Sequence, residues 1–402
     1  MTTYSVSSLD NHDRVDHLIR ESRTWDKNLP VDIDFGSLRT IYPNGAVPFA
    51  ATLDHLRESG FQLRGRRISP KNARTHVFAP MTIDQFVRHE TPLTHNVWKY
   101  RDESEAQKIA TKFMEALTDQ VQCEAGVIDA LNWCLYEVLD NVFQHSGAAS
   151  GFVMMQLHAQ NRKCVITVSD TGVGIQRSLM NATESATVNP DLVRHAHLAI
   201  EHAAQAGITS KGKLNQGNGL FGLRRSVEIN GGRLAIRSGR GLWAVERGVT
   251  QANSDLSRPV VDPEMHQSTT VDWQLNCATP VSINDALGMP LQAGELLETI
   301  YAGPGHYRID AAEIEESIGS RVKGSEIRTR LNNYLQDGAE QIVVDLSNVG
   351  VVSSSFADEV LGKLALEMGE MQFRRRIFVD GASPTNRSLI ERAISLRLQT
   401  GI

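Results

Sequence analysis

The chain has 402 residues, more than one hydrophobic core usually supports, so two or three domains are expected, and 41% hydrophobic content suffices to pack each of them. A formal net charge of -6 argues against a nucleic-acid binder, and polar or charged residues interrupt every long apolar run, which argues against a membrane span. The start MTTYSVSSLDNHDR lacks the cationic and apolar segments of an export signal, and Cys123, Cys134, Cys164 and Cys277 stand far apart with no C-x-x-C pair, so a soluble cytoplasmic protein with reduced core thiols is expected.

In chain order, VDIDF (31–35) reads as a strand and VPFAATLDHLRESG (47–60) as a helix ended by Gly60, which gives a small α/β unit over residues 1–80. Residues 81–102 read as a polar connector. ESEAQKIATKFMEALTDQ (103–120) has amphipathic helical spacing, and a second helix is expected from about Gly126 to His145, stopping at Ser146-Gly147. GFVMMQLHAQ (151–160) and KCVITVSD (163–170) alternate as strands about a turn at Asn161-Arg162. After DTGVGI and an irregular stretch a helix is expected over 191–207. Its His195, His197 and His202 lack the i, i+4 spacing of a helical zinc site and read as surface residues. A helix (219–229), the strand GRLAIRSG, a polar loop over 249–268 and a closing strand TTVDWQLN (269–276) complete a unit of about 103–280. From 282 a third α/β unit runs to 402, with strands QIVVDLS (341–347) and RIFVD (376–380) around the helix FADEVLGKLALEMGE (356–370). The segment 31–49 can be laid over 343–360 with Asp34 on Asp345, which suggests one fold at both ends of the chain.

Three elements carry candidate chemistry. Glu137, Asn141 and His145 are spaced four apart and form a polar ledge beside the apolar stripe Leu131, Leu135, Val138 and Val142. Asp170 ends an apolar strand and is followed by Gly172 and Gly174, which let the backbone turn tightly next to a ligand. Gly217, Gly219 and Gly222 open a helix whose free N–H groups suit a polyphosphate, and Thr209 and Lys211 lie just before it. Each element alone has an ordinary structural explanation: a solvated helix face, a turn after a strand, a helix entry.

In this order and spacing, EVLDNVFQHS, DTGVG and QGNGLFGL resemble the N, G1 and G2 boxes of the GHKL superfamily, which includes histidine kinases, anti-sigma-factor kinases, type II topoisomerases, Hsp90 chaperones and MutL proteins. The resemblance spans roughly 100–280. It implies an α/β sandwich with a mixed sheet that binds ATP and Mg²⁺. Glu137 would be the general base, Asn141 would hold Mg²⁺, His145 would face the phosphates, and Asp170 would hold the adenine amino group. Gly172 and Gly174 would shape the adenine site; Thr209, Lys211, Gly217, Gly219 and Gly222 would surround the triphosphate. G-N-G-L-F-G-L has one residue more than the G-x-G-L-G-L of typical histidine kinases, which touches the role of Gly222.

The C-terminal stretch DLSNVGVVSSSFADEVLGKL (345–364) resembles STAS-like domains and, more distantly, the anti-sigma-factor antagonists, in which a Ser at a helix start is phosphorylated by a GHKL kinase. Ser354 falls at that place, although Ser353 and Phe356 stand where the antagonists carry Asp and Gly, and helix capping is the ordinary reason for a Ser there. Pro43 holds the matching position at the N-terminal end. His76, His89 and His95 precede the pocket without the surroundings of a phosphoacceptor histidine, so an autophosphorylating histidine kinase is not expected. The readings are a bacterial ATP-driven switch of STAS-like domains, a serine/threonine kinase acting on such a domain, or a nucleotide sensor. A protein partner is expected through the STAS-like domains, and a homodimer stays open.

Overall fold

The computed structural model describes residues 2–68, 75–86, 93–182, 188–208, 219–287, 306–311, 321–336 and 339–400. At the N-terminal end, β1 (Thr2–Ser5), β2 (Ser8–Leu9), α1 (Asp13–Ser22), β3 (Val31–Asp34), β4 (Thr40–Ile41), α2 (Pro43–Glu58) and β5 (Leu63–Arg66) follow one another. Strands β1, β3 and β5 pair in parallel in that order, and β2 pairs with β4. The second helix starts at Pro43, four residues before the start expected at Val47. Proline fits a first helical position, where no intrahelical N–H bond is lost.

The central unit contains β6 (Trp98–Tyr100), α3 (Glu103–Gln120), α4 (Val127–Asn141), β7 (Gly151–His158), β8 (Lys163–Asp170), α5 (Ile175–Met180), α6 (Ala196–Ala203), α7 (Gly219–Asn230), β9 (Arg233–Ser238), β10 (Gly241–Glu246), β11 (Val249–Ser254) and β12 (Thr269–Asn276). Its seven-stranded sheet runs β11-β10-β9-β12-β8-β7-β6 with antiparallel neighbours and one parallel bridge from Met81 to Trp98 at the edge. Three expectations change here. Part of the connector 81–102 belongs to the sheet: Trp98 and Tyr100 are fully buried in edge strand β6, which three residues are too few to reveal by alternation. The segment 249–268 begins with β11, paired to β10 across a two-residue turn at Arg247-Gly248; φ is 50° and 77° there, the primed-turn geometry that matches strand twist. The helix expected over 191–207 shortens to α6, because the Asn189 side chain accepts from the Asp191 N–H (3.0 Å) and holds a turn instead.

Alternate residues of β7 enter different cores. Val153 and Met155 pack with α3 and α4, whereas Phe152 and Met154 join the cluster of Phe49, Ala50 and Leu53 from α2. The sheet is therefore covered on both faces, which explains why GFVMMQL is apolar without alternation. The N-terminal unit is also fastened by polar contacts: Lys99 Nζ lies 2.6 Å from Asp54 and 3.6 Å from Glu58, and Arg23 donates to the Val260 carbonyl at 2.9 Å.

The C-terminal part comprises α8 (Ile283–Leu287), β13 (His306–Asp310), α9 (Arg321–Gln336), β14 (Gln341–Asp345), α10 (Ser354–Ala357), a π-helical turn (Asp358–Gly362), α11 (Lys363–Met368), α12 (Glu370–Arg376), β15 (Ile377–Asp380) and α13 (Pro384–Thr400). Strands β13, β14 and β15 pair in parallel, the same arrangement as β1, β3 and β5. Asp34 and Asp345 each end the middle strand. Asp34 accepts from the Gly36 N–H (3.0 Å) and from Arg67 Nε (2.8 Å); Asp345 accepts from the Ser347 N–H (2.9 Å) and from Arg308 Nε (3.0 Å). Among the described residues no helix is long and apolar enough to cross a membrane.

Replacing Lys99 by Ala leaves Asp54 half-buried without its cation, so urea denaturation should show a loss on the order of 1–3 kcal/mol. An unchanged midpoint would mean that the N-terminal unit is held by apolar contact alone.

Candidate functional site

Glu137 and Asn141 stand one turn apart on α4, on the same side of the helix. Beyond Asn141 the helix widens into a π turn, Val142–Ser146, closed by left-handed Gly147 (φ 67°). His145 lies in that turn, so it leaves the straight ledge that four-residue spacing implies; single π turns of this kind recur at functional sites.

The turn delivers Ser146 to the loop after β8. The Ser146 carbonyl accepts from the Val173 N–H (2.9 Å), and a side chain at Gly172 would come within 2.2 Å of that oxygen. Only glycine fits. Gly174 has φ of 80°, and the Ile175 N–H donates to Ser238 Oγ at 2.7 Å. Asp170, 5% exposed, accepts from the Gly172 N–H at 2.8 Å. Burial pushes its carboxyl up to about 7, against the opposing pull of that N–H and of the Ser146 hydroxyl.

The helix α7 begins against the ledge. A side chain at Gly219 would meet Glu137 Oε2 at 3.0 Å and Asn141 Nδ2 at 3.5 Å, so glycine lets the backbone approach both groups. Gly222, one turn later, faces the Trp133 ring, which a Cβ would strike at 2.4 Å, and thereby seats α7 on α4. Thr209, Lys211 and Gly217 lie outside the described residues.

On its other side Glu137 meets the C-terminal part. The Ser354 N–H points at Glu137 Oε1 over a long 3.4 Å. The Ser354 hydroxyl is buried, close enough to favour the charged carboxylate, yet has no hydrogen-bond partner of good geometry. Helix capping does not account for this residue: the cap is Ser353, whose Oγ accepts from the Phe356 N–H at 3.0 Å, so Ser354 is the first residue inside the helix. Glu137 is half-buried, and its burial, followed by repulsion from Asp140, raises its carboxyl to about 7. A groove of about 640 Å³ between α3, α4 and the 348–353 loop, lined among others by Met114, Trp133, Tyr136 and Val351, runs up to Ser353.

Sequence reading missed the supports behind the pocket. The Gly172 carbonyl accepts from Gln267 and Ser268 (2.8 and 3.0 Å), His266 Nδ1 lies 2.8 Å from the Thr171 carbonyl, and the His266 ring packs on His55 of α2 at 4.4 Å. The polar stretch 255–268 thus ties the glycine loop to the N-terminal unit; its composition signals a loop and nothing more. Of the three crowded histidines, His202 is buried, not at the surface, and its Nε2 accepts from the Asn189 N–H at 3.0 Å. Cys123, Cys164 and Cys277, far apart in sequence, interact at one end of the sheet, and burial holds all three thiols above their usual range.

Residues 126–260 match the family model of the histidine kinase-, DNA gyrase B- and HSP90-like ATPases. Residues 323–387 match that of a STAS-like domain of unknown function. The chain therefore joins a GHKL-type ATPase domain to a STAS-like domain in an α/β architecture. Among solved structures, the topoisomerase IV ATP-binding domain of Francisella tularensis, in complex with a small-molecule inhibitor, is similar at 11% identity, covering 72% of this chain and 90% of its own. Its TM-score is 0.23, too low to support any argument. No curated protein matches.

Because folding raises the Glu137 and Asp170 carboxyls, their neutral forms are favoured in the native state. That stability is present below about pH 4 and is lost as pH rises through about 7. Glu137→Gln should accordingly match the parent at pH 5 and exceed it by about 1–2 kcal/mol at pH 8, as read by thermal unfolding without nucleotide. Equal stability at both pH values would show that Glu137 is already charged in the native protein.

Proposed function

We propose that this protein is a nucleotide-dependent regulator whose GHKL-type pocket takes ATP and phosphorylates its own STAS-like domain at Ser354, with Glu137 as general base. The observation that carries the reading is the unpartnered, buried Ser354 hydroxyl beside a carboxyl raised to about 7, a value suited to accepting a proton near neutral pH. In the reaction Ser354 Oγ bonds to the γ-phosphorus, the bond from that phosphorus to the bridging oxygen of ADP breaks, and the hydroxyl proton passes to Glu137. Capping, the competing explanation for this serine, belongs to its neighbour Ser353.

The remaining roles follow the chemistry of the groups. Asp170, at the sheltered end of β8, would accept from the adenine amino group, with Gly172 and Gly174 shaping the loop around it. Asn141 would offer an oxygen to Mg²⁺, which would neutralise phosphate charge. Gly219 would admit the phosphates beside Glu137 and Asn141, with Thr209, Lys211, Gly217 and His145 further candidates; Gly222 would act by seating α7.

A second reading rests on the same junction. Glu137 lies between the starts of α7 and α10, so a nucleotide that moved either of them on binding would switch the STAS-like domain through ATP binding and hydrolysis, with Glu137 activating water.

Incubation of the purified full chain with γ-labelled ATP and Mg²⁺ distinguishes the two. Phosphotransfer predicts label on Ser354, lost in Ser354→Ala and reduced about 10²- to 10⁴-fold in Glu137→Gln with ATP affinity retained. Free phosphate released equally by the parent and Ser354→Ala, with no labelled protein, would favour the switch. Asp170→Asn should abolish ATP binding in calorimetry while the fold persists, and unchanged affinity would remove the pocket assignment.

A further inference from the structure

We infer that the free edge of β11 is a self-association surface, and that its occupant is β11 of a second copy of this chain, related by a two-fold axis. The inference is independent of the reaction assigned above. β11 ends the seven-stranded sheet, and no described strand pairs with its outer side. All five residues from Val249 to Asn253 are exposed, Val249 to 64%. Native sheets blunt such edges with charge, proline, a bulge or brevity, because an open row of N–H and C=O groups templates another strand. Val249–Ser254 is six residues long with none of these devices. Leu256, 79% exposed, lies just beyond its far end.

Hydrogen-bond alternation fixes what the edge offers. The two-residue turn at Arg247-Gly248 makes Glu246 and Val249 a hydrogen-bonded pair, so Val249, Gln251 and Asn253 direct their backbone groups to β10. Thr250, Ala252 and Ser254 direct theirs outward. An antiparallel two-fold pairing centred on Gln251 places Thr250 opposite the partner's Ala252, and both are outward-directed residues that can exchange N–H···O bonds. The same register sets Arg247 opposite the partner's Asp255 at both ends of the ribbon. Both residues are exposed; among the described residues Arg247 has no ion pair within 4 Å, and the Asp255 carboxylate accepts only within its own turn, from Ser257, while the Asp255 N–H donates to the Arg240 carbonyl. Centring the axis on Ala252 instead would set Asp255 against Val249 and lose both charge pairs. Charge complementarity therefore selects one register.

The test uses the full chain. Sedimentation should show a concentration-dependent dimer, lost in Ala252→Pro, which removes an outward N–H and leaves the bonds to β10 intact. Gln251→Cys should give an interchain disulfide on non-reducing electrophoresis after mild oxidation, because the axis sets two non-hydrogen-bonded side chains face to face, whereas Thr250→Cys should not. Unchanged ATP binding and far-ultraviolet dichroism in Ala252→Pro separate dimer loss from misfolding. A monomer throughout the concentration range overturns the proposal. So does a dimer that survives Ala252→Pro, and cross-linking at Thr250 but not Gln251 overturns the register.

Discussion

Removing both faces of the central sheet from water is the constraint on which the other features depend. A sheet with one helical layer would leave Phe152 and Met154 in solvent, and the N-terminal helix α2 supplies the second cover. The apolar drive for that docking scales with the area removed from water, whereas ion pairs such as Lys99–Asp54 contribute less and chiefly fix orientation. Within that sheet β8 is paired on both sides to its last residue, Asp170, opposite Thr269 and Gly151, and the glycines after it bend the chain away.

The same dehydration acts on two carboxyls with different surroundings. Asp170 has a backbone donor built in at Gly172, so a ligand amine would complete a partly satisfied group. Glu137 is approached by the Ser354 N–H at a long 3.4 Å and by the Ser354 hydroxyl, and it faces a glycine at the start of α7. Burial lifts both carboxyls to about the same value, although their immediate surroundings differ.

The parts legible in the sequence were those governed by short-range rules: the strand β8 ending at Asp170, the close pair Glu137 and Asn141, the strand beginning after Gly231-Gly232, and the common order of elements at the two chain ends. What was hidden depends on distant partners. Trp98 and Tyr100 become a strand only because β7 lies beside them. Nothing local distinguishes Ser353 from Ser354, and the side chain that faces Glu137 is decided by which one the helix uses as its cap. His266 could not be tied to the glycine loop without knowing that β12 pairs with β8. The π turn is equally invisible, since Val142–Ser146 would fit an ordinary helix by composition.

That π turn carries one surplus residue relative to an α-helix of the same rise. Chain length is therefore a determinant of the pocket in its own right: deleting a single residue between Val142 and Gln144 would restore regular winding and rotate everything after it by about 100°. The Ser146 carbonyl would then point away from Val173, and the steric reason for glycine at 172 would vanish with it. In this segment a change in residue count, with every side chain chemically intact, would uncouple the helix that bears Glu137 from the loop that follows Asp170.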